Sequence, residues 1–283
     1  MKICVAGLGI IGGSVCLALK RAGLSADGWN RSEEVLNYAL DRGIIDGAAS
    51  DFSVYDVVFV ALPPEATVEF INGTAFKDGA VVSDICGVKV WLEKQIFARE
   101  RNFSYIGCHP MAGKEVSGIK NACADLFDNA SMIITENPST DKRAKEIISG
   151  LTKAMGFKRI VECSAEVHDR KIAYTSQLAH VVSNAYVKDG EIDGCLGFTG
   201  GSFQDMTRIA GVDEKMWSSL FMKNRENLSN NLQTLIHSLN EIKEAIDGGN
   251  TEKLSEVLAC GRKIALGNRK TNAVDNIKII NLK

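Results

Sequence analysis

No run of apolar residues in this 283-residue chain is long enough to span a bilayer, and no basic excess is present to neutralise phosphates: 33 lysines and arginines stand against 35 aspartates and glutamates. The first absence argues against a membrane-spanning helix. The second argues against nucleic acid as a partner. None of the eight cysteines has C-x-x-C spacing or lies near a histidine cluster. No metal site and no redox dithiol are therefore expected. Several cysteines sit inside apolar runs, as buried free thiols do. Internal repeats and low-complexity tracts are missing as well. The chain opens Met1-Lys2-Ile3-Cys4-Val5-Ala6-Gly7, which reads directly as a strand with no signal peptide before it. Together with reduced thiols, this makes the cytoplasm the expected compartment.

What is present is an ordinary globular composition, 45% hydrophobic and 24% charged, which rules out disorder as a class. The length suits two domains. Strand patterns are read at residues 2–6, 26–30, 56–62, 79–84, 103–108, 130–135 and 158–161. Helical patterns fall between them: Ile11, Val15, Leu19 and Ala22 share a helix face, Ser32 with Glu33 and Glu34 is a helix start, and Pro64 suits a first helical position. Continuous apolar runs such as Val57-Val58-Phe59-Val60 suit parallel strands covered on both faces. The alternation predicts a doubly wound parallel sheet of Rossmann type over residues 1–163. After Cys163 residues 165–188, 213–247 and 251–266 are helix-periodic and almost nothing reads as a strand, so residues 164–283 are expected to form an all-α domain. The polar stretch from Asn268 is expected to be loosely held.

Gly7-Leu8-Gly9-Ile10-Ile11-Gly12 matches G-x-G-x-x-G, and it follows a predicted strand and opens a predicted helix. Gly7 permits the tight turn, Gly9 lets a pyrophosphate approach the backbone, and Gly12 lets helix and strand pack closely. The helix N-terminus adds N–H donors and a partial positive charge. These six residues are the expected cofactor loop. At the end of the second strand, an NAD site usually carries an acid for the ribose 2′-OH. This chain has Asn30-Arg31-Ser32 instead. Arg31 can pair with a 2′-phosphate and Ser32 can donate to it, which favours NADP over NAD; Glu33 is the residue left to meet a ribose if the cofactor is NAD.

The second informative stretch is Gly107-Cys108-His109-Pro110-Met111-Ala112-Gly113-Lys114-Glu115-Val116-Ser117-Gly118. It lies at the carboxyl end of a predicted strand, where ligands bind in open α/β sheets. The third is Gly200-Gly201-Ser202-Phe203-Gln204-Asp205-Met206-Thr207-Arg208-Ile209-Ala210, in the helical half.

In these three motifs and their order, the chain resembles the prephenate and arogenate dehydrogenases of tyrosine biosynthesis. The resemblance implies oxidative decarboxylation of prephenate to 4-hydroxyphenylpyruvate, or of arogenate to tyrosine, with hydride passing to a nicotinamide. It implies His109 as the catalytic group that draws off the ring hydroxyl proton. It also implies Ser176 and His180, four apart and so sharing a helix face, with Arg208 gripping a carboxylate. Lys114 is read as meeting a second carboxylate or pointing to solvent. His109 and Arg208 are expected to converge on one substrate. His168 and His237 are read as ordinary helix residues.

The stretch Asp84-Ile85-Cys86-Gly87-Val88-Lys89 departs from the family's D-x-x-S-V-K, with glycine in the serine's place. Lys89 is either structural or near the site. The resemblance implies a homodimer through the helical half, with Met216, Trp217, Leu220, Phe221, Leu228 and Leu232 as candidate interface residues. No fused mutase and no added regulatory domain are expected. Two other classes stay in view. A β-hydroxyacid-type dehydrogenase would use a lysine on a long helix, and a nucleotide-sensing protein without catalysis would not need His109 and Arg208 together.

Overall fold

The computed structural model describes residues 1–114, 116–267 and 277–282. They fall into two compact units. One comprises Met1–Asp169 with Gly211–Lys223 and the C-terminal strand; the other comprises Arg170–Ala210 and the helices that follow Asn224.

The first unit is built on an eight-stranded sheet: β1 (Ile3–Ala6), β2 (Ala26–Trp29), β3 (Val57–Val60), β4 (Val81–Asp84), β5 (Ser104–Pro110), β6 (Ser131–Thr135), β7 (Arg159–Cys163) and β8 (Lys278–Asn281). Their order across the sheet is β2-β1-β3-β4-β5-β6-β7-β8. Side chains alternate between faces, so each central strand feeds two cores. Ile3, Val5, Val57 and Phe59 enter one apolar cluster, and Cys4, Ala6, Val58 and Val60 enter the other. Helices α1 (Ile10–Arg21), α2 (Glu33–Asp41), α3 (Pro64–Gly73), α4 (Val90–Ile96) and α5 (Lys142–Ala154) link the strands. Ser32 caps α2 by accepting from Val35 N–H, and Pro64 sits in the first turn of α3, as expected of those residues. From β1 the chain passes to β2 on one side and then to β3 on the other. That reversal is the topological switch point, where open α/β sheets bind ligands at the carboxyl ends of their strands.

Two strand pairs run against the all-parallel expectation. β5 and β6 are antiparallel, because no crossover helix lies between them. Residues 111–130 hold only a short 3-10 turn at Ile119–Asn121, and Met111 N–H already donates to Ser131 C=O at 2.8 Å. β6 thus starts at the end of the sheet where β5 finishes. β8 is the strand that the helical reading of the C-terminal half left out. It pairs antiparallel with β7, Ile280 packs against the larger core cluster, and Lys278 reaches Glu162 at 3.0 Å. The expectation of a loosely held stretch from Asn268 falls on residues 268–276, outside the described residues.

Helices α6 (Ala165–Ile172) and α7 (Leu178–Tyr186) flank a π-helical segment, Ala173–Gln177. With α8 (Gly201–Thr207), α10 (Arg225–Asp247) and α11 (Thr251–Gly267), the segment and α7 make the second unit. α9 (Glu214–Lys223) belongs to the first unit. Met216, Trp217, Leu220 and Phe221 therefore lie outside the helical unit to which the sequence reading assigned them, and Leu228 is buried. Among the described residues, α10 and α11 instead expose Leu239, Ile246, Leu258 and Leu266. No described helix is long and apolar enough to cross a membrane, and no described cluster of histidine, cysteine and acidic side chains could hold a metal ion.

Candidate active site

The glycine loop joins β1 to α1. Gly7 has φ +98°, and a Cβ there would lie 2.4 Å from the Ala61 carbonyl oxygen at the end of β3. A Cβ on Gly12 would lie 1.9 Å from the Gly7 carbonyl oxygen, whereas one on Gly9 would meet nothing within 4 Å. Gly7 and Gly12 are thus required by packing, and Gly9 keeps an open face. No side chain caps the first turn of α1 and no acid lies in it. Its N–H groups, with Leu8, Ile10 and Ile11 around them, suit the pyrophosphate of a dinucleotide. Asn30 Oδ1 accepts from Leu8 N–H at 3.0 Å, Asn30 Nδ2 donates to Ser32 C=O, and Gly7 N–H donates to Trp29 C=O at 2.7 Å. Asn30 therefore ties the end of β2 to the loop, with an amide at the position of the usual ribose acid. Arg31 and Ser32 are exposed beside it.

His109 lies inside β5, which runs two residues beyond the expected strand end, and pairs with Ile133 of β6. Its Nδ1 is 2.8 Å from Nε2 of His168, and His168 Nδ1 is 2.7 Å from Asp169 Oδ1. Asp169 also accepts from Lys89 N–H at 2.8 Å and Val90 N–H at 2.9 Å, at the start of α4. These contacts fix the tautomers. A carboxylate only accepts, so His168 carries its proton on Nδ1 and offers the Nε2 lone pair. His109 must then donate from Nδ1, which leaves its own Nε2 unprotonated. Burial holds the His109 imidazole well below its usual pKa, and His168 and Lys89 lower it further. Burial likewise lowers His168, although Asp169 pulls the other way. The result is a neutral base with a fixed lone pair. A Cβ on Gly87 would sit 3.6 Å from His109 Nε2, so the position where the family has serine lies beside this nitrogen.

His168 is the functional contact that the sequence reading missed. In sequence it is an ordinary helix residue, yet it is 1% exposed and holds His109. Lys89 is also buried; its ammonium is 2.5 Å from Asp84 Oδ1 and 2.5 Å from the Cys108 carbonyl oxygen, and Tyr105 OH donates to Asp84 Oδ2 at 2.5 Å. The lysine thus lies beneath the strand that carries His109, tied to the peptide just before it. Lys114 donates to Cys123 Sγ at 3.2 Å.

In the second unit, the motif around Arg208 is bound to α7. His180 Nδ1 donates to Ile209 C=O at 3.0 Å, Ser183 Oγ donates to Met206 C=O at 2.6 Å, and Asn184 Nδ2 donates to Ala210 C=O. His180 and the 3-10 turn Arg208–Ala210 are thereby brought together. Ser176 lies in the π-helical segment. The segment runs directly into α7, which carries His180.

A switch-point sheet, an open glycine loop and a half-buried neutral imidazole at a strand's carboxyl end define a dinucleotide-binding oxidoreductase. Residues 15–161 match the family model described as the prephenate dehydrogenase nucleotide-binding domain, and residues 164–260 match that of the prephenate dehydrogenase dimerization domain. The chain belongs to the prephenate dehydrogenase family, and it is a nicotinamide-dependent dehydrogenase. A prephenate dehydrogenase of Lactococcus lactis subsp. cremoris is 31% identical over 281 residues, 93% of this chain and 76% of that protein. A crystal structure of Aquifex aeolicus prephenate dehydrogenase in complex with hydroxyphenyl propionate and NAD+ matches with TM-score 0.82 and 28% identity, over 94% of this chain and 97% of that one. Synechocystis arogenate dehydrogenase matches with TM-score 0.77 and 26% identity, over 94% and 99%.

Proposed function

We propose that this dehydrogenase converts prephenate to 4-hydroxyphenylpyruvate and CO2, with His109 as the catalytic base. The observation that carries the reading is the lone pair fixed on His109 Nε2 by the His168–Asp169 chain. When bound, the nicotinamide supplies the hydride acceptor. His109 Nε2 takes the ring hydroxyl proton as the hydroxyl-bearing carbon is oxidised. Once the ring carboxylate has left as CO2, the ring oxygen carries the negative charge of a phenolate. His109 returns the same proton to it, so the imidazole ends neutral and no net proton is released. The His168–Asp169 chain stabilises the imidazolium in between.

Arg208 is read as the group that grips a substrate carboxylate, with Ser176, His180 and Lys114 as further candidates for substrate binding. Removing a charged, two-pronged hydrogen-bond partner costs about 1.5–3 kcal/mol. Arg208→Ala is therefore expected to raise the prephenate KM by about tenfold to a hundredfold with a smaller change in kcat. The test follows nicotinamide reduction with prephenate and with arogenate. Turnover of prephenate supports the reading, and turnover of arogenate alone overturns the substrate assignment.

The glycine loop Gly7 to Gly12 and the start of α1 would hold the cofactor's pyrophosphate. NADP is the preferred cofactor in this reading. Asn30 is committed to the loop and brings no carboxylate, Arg31 is exposed, and the Ser32 hydroxyl can donate to a phosphate while it accepts from Val35 N–H. Arg31→Ala is expected to raise the KM for NADP about tenfold and to leave that for NAD nearly unchanged. Equal effects in initial-rate assays with the two cofactors would rule out the 2′-phosphate contact. The chain is further read as a homodimer, supported by its match to a dimerization domain and the apolar residues exposed on α10 and α11.

A further inference from the structure

Helix α9 packs beside the base on the first unit, and its fastening is independent of the His109 chain. Glu65, in the first turn of α3, accepts from Ser219 Oγ at 2.9 Å and from Lys223 Nζ. Lys223 also donates to Ser219 Oγ at 2.8 Å and sits 4.5 Å from the centroid of the Trp91 ring on α4. Its side chain is 10% exposed, so this cation is largely desolvated and its pairing counts for more than that of a surface lysine. One turn of α9 is thereby pinned to both α3 and α4. On that turn, Leu220 approaches Gly87: a Cβ built on Gly87 would lie 3.9 Å from Leu220 Cδ2 and 3.6 Å from His109 Nε2.

We propose that Glu65, Ser219, Lys223 and Trp91 form a latch that holds Leu220 against Gly87 as a wall over the base nitrogen of His109. They are positioning residues: they act through α9, and Leu220 keeps bulk water from Nε2. A base screened in this way keeps its lone pair for the substrate hydroxyl, because water is shut out as a competing partner. This deepens the proposed function and rests on His109 being the base.

The test uses the intact chain with Glu65→Gln, Lys223→Met and the charge-swapped pair Glu65→Lys with Lys223→Glu. The first readout needs no substrate: the rate at which diethyl pyrocarbonate labels His109, followed by peptide mass spectrometry with His237 as an exposed internal standard. Loosening an ion pair of this kind corresponds to about threefold to tenfold. Each single variant is expected to speed His109 labelling by that factor relative to His237, and the swapped pair to bring it back toward the wild-type rate. The second readout is steady-state kinetics with prephenate, where kcat/KM is expected to fall by a similar factor in the single variants and to recover in the swap. Labelling of His109 that is unchanged in both single variants would overturn the latch, whatever the activity. Faster labelling with swap rescue, in a protein that turns over no prephenate, would keep the latch and reject the substrate assignment.

Discussion

His109→Asn is expected to lower kcat by about a hundredfold to ten-thousandfold, the range that a positioned general base contributes, while cofactor affinity stays at the wild-type level. The substitution separates the two nitrogens of the imidazole. An asparagine amide can still donate toward His168 Nε2, as Nδ1 does now at 2.8 Å, so buried His168 is not left unsatisfied. It offers no basic nitrogen in place of Nε2. The glycine loop lies between β1 and α1 and has no covalent or hydrogen-bonded link to that side chain among the contacts described, so a nucleotide titration should be unaffected. The pH profile adds a signed check. Burial, His168 and Lys89 all push the His109 pKa down, so the base stays unprotonated below the ordinary histidine value. The acid limb of kcat/KM in the wild type is therefore expected below about pH 6.5, with activity falling only as pH drops further. A variant that keeps a near-wild-type kcat would remove His109 from the chemistry.

The parts of this site that were legible in the sequence are those whose physics is local. Gly7, Gly9 and Gly12 act within one turn between a strand and a helix, so six consecutive residues announce the loop. The Rossmann half was readable for the same reason: Val57 to Val60 can only be a strand covered on both faces. His109 stood out because glycine and proline frame it at a strand end. His168 did not, because what makes it functional is a contact 59 residues away in the chain, and its place on α6 has the same periodicity as any buried helix position. The one available sign was a histidine followed directly by an aspartate at the start of a helix, which is weak by itself. β8 was missed because four residues at a sheet edge carry too little alternation to compete with the helical pattern before them. The direction of β6 could not be read, since it depends on where residues 111–130 leave the chain. The π segment Ala173–Gln177 is hidden because its residues carry an ordinary α-helical spacing. α9 reads as part of the helical half in sequence, yet Glu65 and Trp91 hold it to the first unit.

Lys89→Met is expected to be the most destabilising single change at the site. The ammonium is fully buried with Asp84, which is also fully buried, and the two are 2.5 Å apart. The pair does not stand alone: Asp84 accepts from Cys86 N–H and Tyr105 OH, and Lys89 donates to the Cys108 carbonyl oxygen. Removing the cation leaves Asp84 charged in an apolar interior, and breaking one side of such a pair costs about 3–5 kcal/mol. For a protein of this size that corresponds to a Tm lower by roughly 6–20 °C. The companion change Asp84→Asn removes the stranded charge while keeping an oxygen to accept from Tyr105 or Cys86. The double variant Asp84→Asn, Lys89→Met should therefore recover most of the lost Tm, since replacing a whole buried pair is often close to neutral. A single variant that melts like the wild type would show that the pair contributes no net stability. Function should not recover in step with stability. The Cys108 carbonyl, one residue before His109, still lacks its donor in the double variant, and the Lys89 charge, which adds to burial and His168 in lowering the His109 pKa, is gone. The acid limb of kcat/KM is then expected to move to higher pH than in the wild type even where the melting temperature is restored, which separates the electrostatic role of Lys89 from its structural one.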